Sequence, residues 1–145
     1  MTPLFSHRLE VRFRDCDALG HVNNAVYLTY LEQARFNHWR AVGIAGTDGE
    51  RVPGVILARV EIDYRRPATC GETLEIALGI AAIGRTSFTY EYEIRDEQRQ
   101  LVASARTVLV RYDYAASKPI PISDELKQIL TTRVEEGQRG RNEAM

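Results

Sequence analysis

The chain has 145 residues, 44% hydrophobic and 27% charged, with a formal net charge of −1. That balance fits one globular domain with its own core and excludes a disordered polyelectrolyte. It gives no electrostatic reason to expect nucleic acid or an anionic membrane as partner, although local basic spots suit a phosphorylated small molecule.

The first residues, Met1 to Arg8, lack the apolar core of a signal peptide, and no apolar run approaches the roughly 20 residues that span a bilayer. Cys16 and Cys70 are too few for a disulfide framework and show no zinc-ligand spacing. A reduced, cytoplasmic setting is therefore expected, with no metal and no cofactor. Residues 1–136 read as a single domain and 137–145 as a disordered tail.

Residues 7–14 alternate: Leu9, Val11 and Phe13 share one face, and Arg8, Glu10, Arg12 and Arg14 the other. This predicts a half-buried strand. From Asn24 to about Val42 the period becomes helical, with Tyr27, Leu28, Tyr30, Leu31, Ala34, His38, Trp39, Ala41 and Val42 on a broad apolar stripe. A stripe that wide suits a helix lying deep against a curling sheet. Arg35 falls within it, one turn after Glu32, a spacing that allows an ion pair. Val26 and Phe36 fall on the polar side.

Turn formers Gly43, Gly46, Asp48 and Gly49 precede a series of strand patterns. Ile56 to Tyr64, Leu74 to Ile80 and Phe88 to Ile94 each alternate, with turns at Gly84-Arg85 and Asp96-Glu97-Gln98. Residues 101–114 are apolar on both parities over much of their length, as in a central strand or one at a subunit contact. Ser123 or Asp124 caps a short final helix with Leu126, Ile129, Leu130 and Val134 inward. The order is strand, long helix, four strands in hairpin succession and a terminal helix. That is an α+β fold with one antiparallel sheet face on the helix.

The junction between first strand and helix concentrates the chemistry. If the strand stays regular, its inward set continues to Asp15 and Asp17, and a buried carboxylate needs a partner or a task. An Asp before Gly also serves simply to cap a turn. Cys16 has the opposite parity, which sets it apart from the acids and from a nucleophilic pairing with His21. Gly20 permits the tight turn, and Asn23 or Asn24 is expected to cap the helix. The free N–H groups of the first turn then suit a developing oxyanion. His21 either orients a substrate carbonyl or bonds the turn. His38 reads as a satisfied core or interface histidine.

The segment from Arg12 to Asn24, with Tyr27, Tyr30, Glu32 and Ala34-Arg35, resembles the hotdog-fold thioesterases, in particular the 4-hydroxybenzoyl-CoA thioesterase-like acyl-CoA hydrolases. Asp63-Tyr64-Arg65-Arg66-Pro67-Ala68, Gly84-Arg85-Thr86-Ser87-Phe88 and Lys118-Pro119-Ile120-Pro121-Ile122 extend the resemblance over nearly the whole chain. It implies a five-stranded antiparallel sheet wrapped around one long helix, with a homodimer or homotetramer holding substrate at subunit interfaces. It also implies Asp17 as the catalytic acid and the Asn24 backbone N–H as the group polarising the thioester carbonyl. His21, Asn23, Tyr27, Arg65, Arg85 and Ser87 become substrate-binding candidates, the last two on the hairpin that approaches CoA. The benzoyl-specific enzymes carry Pro-Ala-Gly-Ile-Val at the turn, whereas this chain has Ala-Leu-Gly-His-Val-Asn-Asn, the form seen with both acyl-CoA and acyl-carrier-protein substrates.

The expected activity is hydrolysis of an acyl-CoA to an acid and free CoA, with Asp17 as general base or nucleophile. An acyl carrier protein is the alternative carrier, and a non-hydrolytic acyl-thioester-binding module the alternative class. The loop-and-helix Asp and His motif of a hydratase-dehydratase is not found.

Overall fold

A computed structural model describes residues 1–44 and 54–134. Five long strands, β1 (Phe5–Glu10), β2 (Val55–Tyr64), β3 (Thr73–Ile83), β4 (Ser87–Arg95) and β5 (Leu101–Asp113), form one antiparallel sheet. Their spatial order is β1-β3-β4-β5-β2, and a two-residue β6 (Lys118–Pro119) adds a sixth member beside β5. The long helix α1 (Val26–Ala41) packs on this sheet, and α2 (Asp124–Leu130) closes the described chain. This is the expected hotdog arrangement, with β6 as an addition to the five strands.

The clearest alternation gives the clearest strand. Phe88, Tyr90, Tyr92 and Ile94 of β4 are all buried, while the residues between them are half-buried. Leu74, Ile76 and Leu78 of β3 do the same. On the helix, Tyr27, Tyr30, Leu31, Ala34, Arg35, His38 and Trp39 are buried. Leu28, placed on the stripe by its periodicity, is exposed instead. Val26 and Phe36 pack partly against the core, the latter edge-on to Trp39.

One connection differs from hairpin succession, that from β2 to β3. β2 pairs with β5, so it is an edge strand on the far side of the sheet from β1, and β3 follows it across the sheet. β5 is thereby flanked on both sides, as expected of a central strand. α2 begins as the sequence predicts: the Ser123 hydroxyl accepts the Leu126 N–H at 3.1 Å, and Leu126 and Leu130 face inward. The expected tail at 137–145 lies outside the described residues.

Most polar groups beneath α1 are paired across the core, although His38 Nε2 is buried without a hydrogen-bond partner among the described residues. Trp39 Nε1–H donates to the Tyr90 hydroxyl at 2.9 Å, and His38 Nδ1 lies 2.7 Å from the same oxygen. Arg35 donates to the Tyr92 hydroxyl at 3.2 Å rather than pairing with Glu32. The Tyr92 hydroxyl also meets Thr107 at 2.6 Å.

Candidate active site

The strand expected over 7–14 ends at Glu10, and Phe13–Asp15 form a single turn of 3-10 helix. Asp15 causes this break. Its Oδ2 accepts the Arg12 backbone N–H at 3.0 Å and its Oδ1 accepts the Arg12 guanidinium at 3.0 Å, closing the turn on itself. Strand parity therefore does not carry through to the acids. Phe13, expected inward, is 87% exposed. Asp15 is buried and Asp17 faces solvent, so only one of the two carboxylates expected inside lies there.

Asp15 is structural. The Tyr30 hydroxyl of α1 adds a third donor at 2.7 Å. Burial pushes the Asp15 carboxyl up, but the bonds from Arg12 and Tyr30 outweigh it and hold the group below the ordinary carboxylate range. The Tyr30 phenol is raised far above its usual value by burial and by the adjacent carboxylate.

Beyond the turn the chain folds into a miniature hairpin. The Asn23 N–H donates to Asp15 C=O at 2.9 Å and the Asp17 N–H to His21 C=O at 2.8 Å, with Cys16 opposite Val22. Gly20, at φ +80°, makes the reversal that a side chain would strain. The Asp17 Oδ1 accepts the Leu19 N–H at 2.9 Å, which fixes the carboxylate over the turn and leaves its second oxygen outward. The hairpin docks on the segment ahead of β3, through Val22 N–H to Ala68 C=O at 2.8 Å and a bridge between His21 and Thr69.

The helix starts one or two residues later than the asparagines suggested. Ala25 occupies the cap position with helical dihedrals, and the Asn23 side chain accepts its N–H at 2.9 Å. Asn24 lies in the turn between. Its carbonyl accepts the Tyr64 hydroxyl at 2.9 Å, while its N–H donates to no acceptor among the described residues. The loop thus presents an anchored, outward carboxylate and an uncommitted peptide N–H at a helix start, where the dipole favours negative charge.

The remaining candidates separate. Asn23 is spent on the helix start, and His21, half-buried, stands opposite Asp17 in the hairpin. Tyr27, expected to touch substrate, is a core residue at 3% exposure, edge-on to Tyr30 and Tyr64. Arg65 is exposed just after Tyr64, so it lies at the Asn24 end of β2. Arg85 and Ser87 sit in and after the β3–β4 turn, at the other end of β3 from the Asp17 loop. The eleven residues of β3 put roughly 30 Å between those two places within one chain.

Several residues of the site region carry no role in the sequence reading. Tyr64 anchors the Asn24 carbonyl. Arg66 bridges Glu72 at 2.7 Å and Asp96 at 2.6 Å, and Glu72 in turn accepts the Thr69 N–H at 2.6 Å. This chain of bonds fixes the segment on which the hairpin docks. The motif around Arg66 is visible in the sequence, but its partners lie up to 30 positions away. Among the described residues, no group of three or more His, Cys, Asp and Glu side chains is arranged to hold a metal ion.

A family model described as the thioesterase-like superfamily matches residues 11–130. The chain belongs to that superfamily. Its activity class is thioester hydrolysis. The thioesterase is 32% identical over 123 residues to a 1,4-dihydroxy-2-naphthoyl-CoA hydrolase of Synechococcus elongatus, covering 83% of this chain and 90% of that one. It is 27% identical over 133 residues to the long-chain acyl-CoA thioesterase FadM of Escherichia coli, covering 88% and 97%. Among solved structures, a Thermus thermophilus thioesterase complexed with coenzyme A and Zn superposes with a TM-score of 0.74 at 32% identity, covering 86% and 95%. No described helix of this thioesterase is long and apolar enough to cross a membrane.

Proposed function

We propose that the protein hydrolyses an acyl-CoA to a carboxylic acid and free CoA in the cytoplasm, with Asp17 and the Asn24 N–H as the reacting pair. The observation that carries this reading is that one short loop bears both an exposed Asp17 and, at the helix start, an Asn24 N–H with no acceptor among the described residues. As general base, Asp17 takes a proton from a water that attacks the thioester carbon. The carbonyl oxygen gathers the negative charge against the Asn24 N–H, a kind of donor whose removal typically costs about 10²–10³ in rate. Collapse of the tetrahedral intermediate expels the CoA thiolate, which takes the proton back from Asp17. Direct attack by Asp17 would instead form a mixed anhydride that water then opens.

The names of the relatives support a CoA carrier, and one of them an aromatic acyl group. An acyl carrier protein is the second candidate carrier. His21 and Arg65 are assigned to the same substrate end, and Arg85 and Ser87 to its nucleotide end from a second copy. The open edge of β2, with Ile56, Leu57 and Tyr64 exposed, supports a homodimer or homotetramer joined there.

The test is hydrolysis of a panel of aromatic and aliphatic acyl-CoAs, followed by trapping of the released thiol, for the wild type and Asp17→Asn. Loss of turnover by about 10²–10⁴ in the variant is expected for a general base. Unchanged turnover removes Asp17 from the chemistry, and ligand retention without thiol release favours a binding module.

A further inference from the structure

The chain has two cysteines, 54 positions apart in sequence, and the fold brings them together beside the Asp17 hairpin. The segment that ends β1 runs along the segment ahead of β3: Gly71 N–H donates to Val11 C=O at 2.9 Å and Val11 N–H to Glu72 C=O at 2.8 Å. Cys16 sits half-buried in this corner, its Sγ 3.8 Å from the Arg12 carbonyl. Cys70 stands between Thr69, which bridges His21, and Gly71, which bonds Val11, so it lies between the hairpin that holds Cys16 and the end of β1, and the two thiols are close enough to feel each other's charge. Cys70 is exposed, so a small oxidant reaches it from solvent.

We propose that Cys16 and Cys70 form a reversible intrachain disulfide that fixes the Asp17 hairpin to the segment ahead of β3. Hydrogen peroxide is the oxidant. The Cys70 thiolate attacks one peroxide oxygen; an S–O bond forms, the O–O bond breaks, and the departing hydroxide takes up a proton as water. The deprotonated Cys16 sulfur then attacks the Cys70 sulfur; the S–S bond forms, the S–O bond breaks, and a second water leaves. Two electrons pass from the two sulfurs to the peroxide, and a dithiol reductant returns them. Burial raises the Cys16 thiol, with the charges of Cys70, Asp15 and Asp17 adding to it, which assigns the first encounter to Cys70 and the resolving step to Cys16.

Cys16 directly precedes Asp17, so drawing its sulfur from Arg12 to Cys70 displaces the carboxylate. The effect on hydrolysis rests on the function proposed above; the linkage itself does not. The full-length chain, reduced and then treated with stoichiometric peroxide, should lose the mass of two hydrogens and yield a Cys16–Cys70 linked peptide. Amide hydrogen exchange over 15–23 and 68–72 should slow, dithiothreitol should reverse both changes, and Cys70→Ser should show neither. Acyl-CoA turnover of the oxidised wild type should fall on the order of 10²-fold, the scale of an ångström of misplacement, while Cys70→Ser keeps its turnover under peroxide. Sulfinic or sulfonic acid without a linked peptide, a disulfide between two chains, or linkage with unchanged exchange overturns the proposal. A reduced chain that hydrolyses no thioester defeats the proposed function instead, and mass and exchange still decide the disulfide.

Discussion

The Tyr30 hydroxyl donates to Asp15 Oδ2 at 2.7 Å, joining the first turns of α1 to the 3-10 turn just ahead of Asp17. This bond ties the helix to the loop that carries Asp17. Tyr30→Phe keeps the ring and removes a donor from a buried carboxylate, at a cost of about 1–2 kcal/mol. Urea unfolding should show that loss as a lower midpoint with an unchanged slope. Turnover should fall more than substrate affinity, because positioning of Asp17 rather than binding is disturbed.

Arg66 should prove a positioning residue. It joins Glu72 and the nearly buried Asp96, and Glu72 orders the Thr69 N–H beside the docked hairpin. The hydrogen bond from Arg66, with further bonds from Thr69, holds the Glu72 carboxyl below its usual range despite burial. Arg66→Ala should lower the thermal midpoint by several degrees and reduce kcat as well. Arg66→Lys restores the charge without the planar fork that spans two carboxylates, so it should recover only part of each. Full recovery by lysine would mean that charge alone suffices.

Stability should fall on mild acidification because of His38. The ring is fully buried, and burial depresses its imidazole to about 4 from an ordinary 6.5. Above pH 6.5 the histidine is neutral in both folded and unfolded chains. As the pH falls from there towards 4, only the unfolded chain takes up the proton, so the native state loses up to about 3 kcal/mol. Urea midpoints at pH 7.5 and 4.5 should therefore differ, and His38→Phe should shrink the difference. An equal pH response in that variant would assign the effect to other groups.

Gly54 offers a steric test at the start of β2. A Cβ there would collide with the Tyr112 carbonyl, a backbone atom that cannot rotate aside, and the Tyr112 N–H already donates to Gly54 C=O at 2.8 Å. Gly54→Ala should thus destabilise by about 1–3 kcal/mol, as overpacking does. Gly71→Ala meets no nearby atom but sits at φ +88°, so its cost should come from backbone strain alone.

How much of this was legible follows from the range of each interaction. The alternation from Phe88 to Ile94, the turn at Gly84-Arg85 and the Ser123 cap are local, and each stands where its pattern put it. The Asp15 break was not legible, because extending the parity of Leu9 and Val11 ignores a side chain that can bond its own backbone three residues back. The pairing of β2 with β5 and the bond from Tyr64 to Asn24 join residues some 40 or more positions apart, and no periodicity encodes them. The site shows the same division. For the site proposed above, Asp17 and Asn24 come from the family resemblance of their segment, whereas Arg66, Glu72 and Thr69 gain meaning only once the loop is seen resting on them.

The length of β3 has a genetic consequence. A chain carrying Asp17→Asn and another carrying Arg85→Ala are damaged at opposite ends of one strand, roughly 30 Å apart. If each working site draws its acid from one copy and its nucleotide contact from the other, the two defects complement when the variants are mixed and reassembled. Half of the sites in a mixed pair then combine both lesions, and the other half contain neither. Two dead alleles would together restore a measurable share of activity, and neither could do so alone.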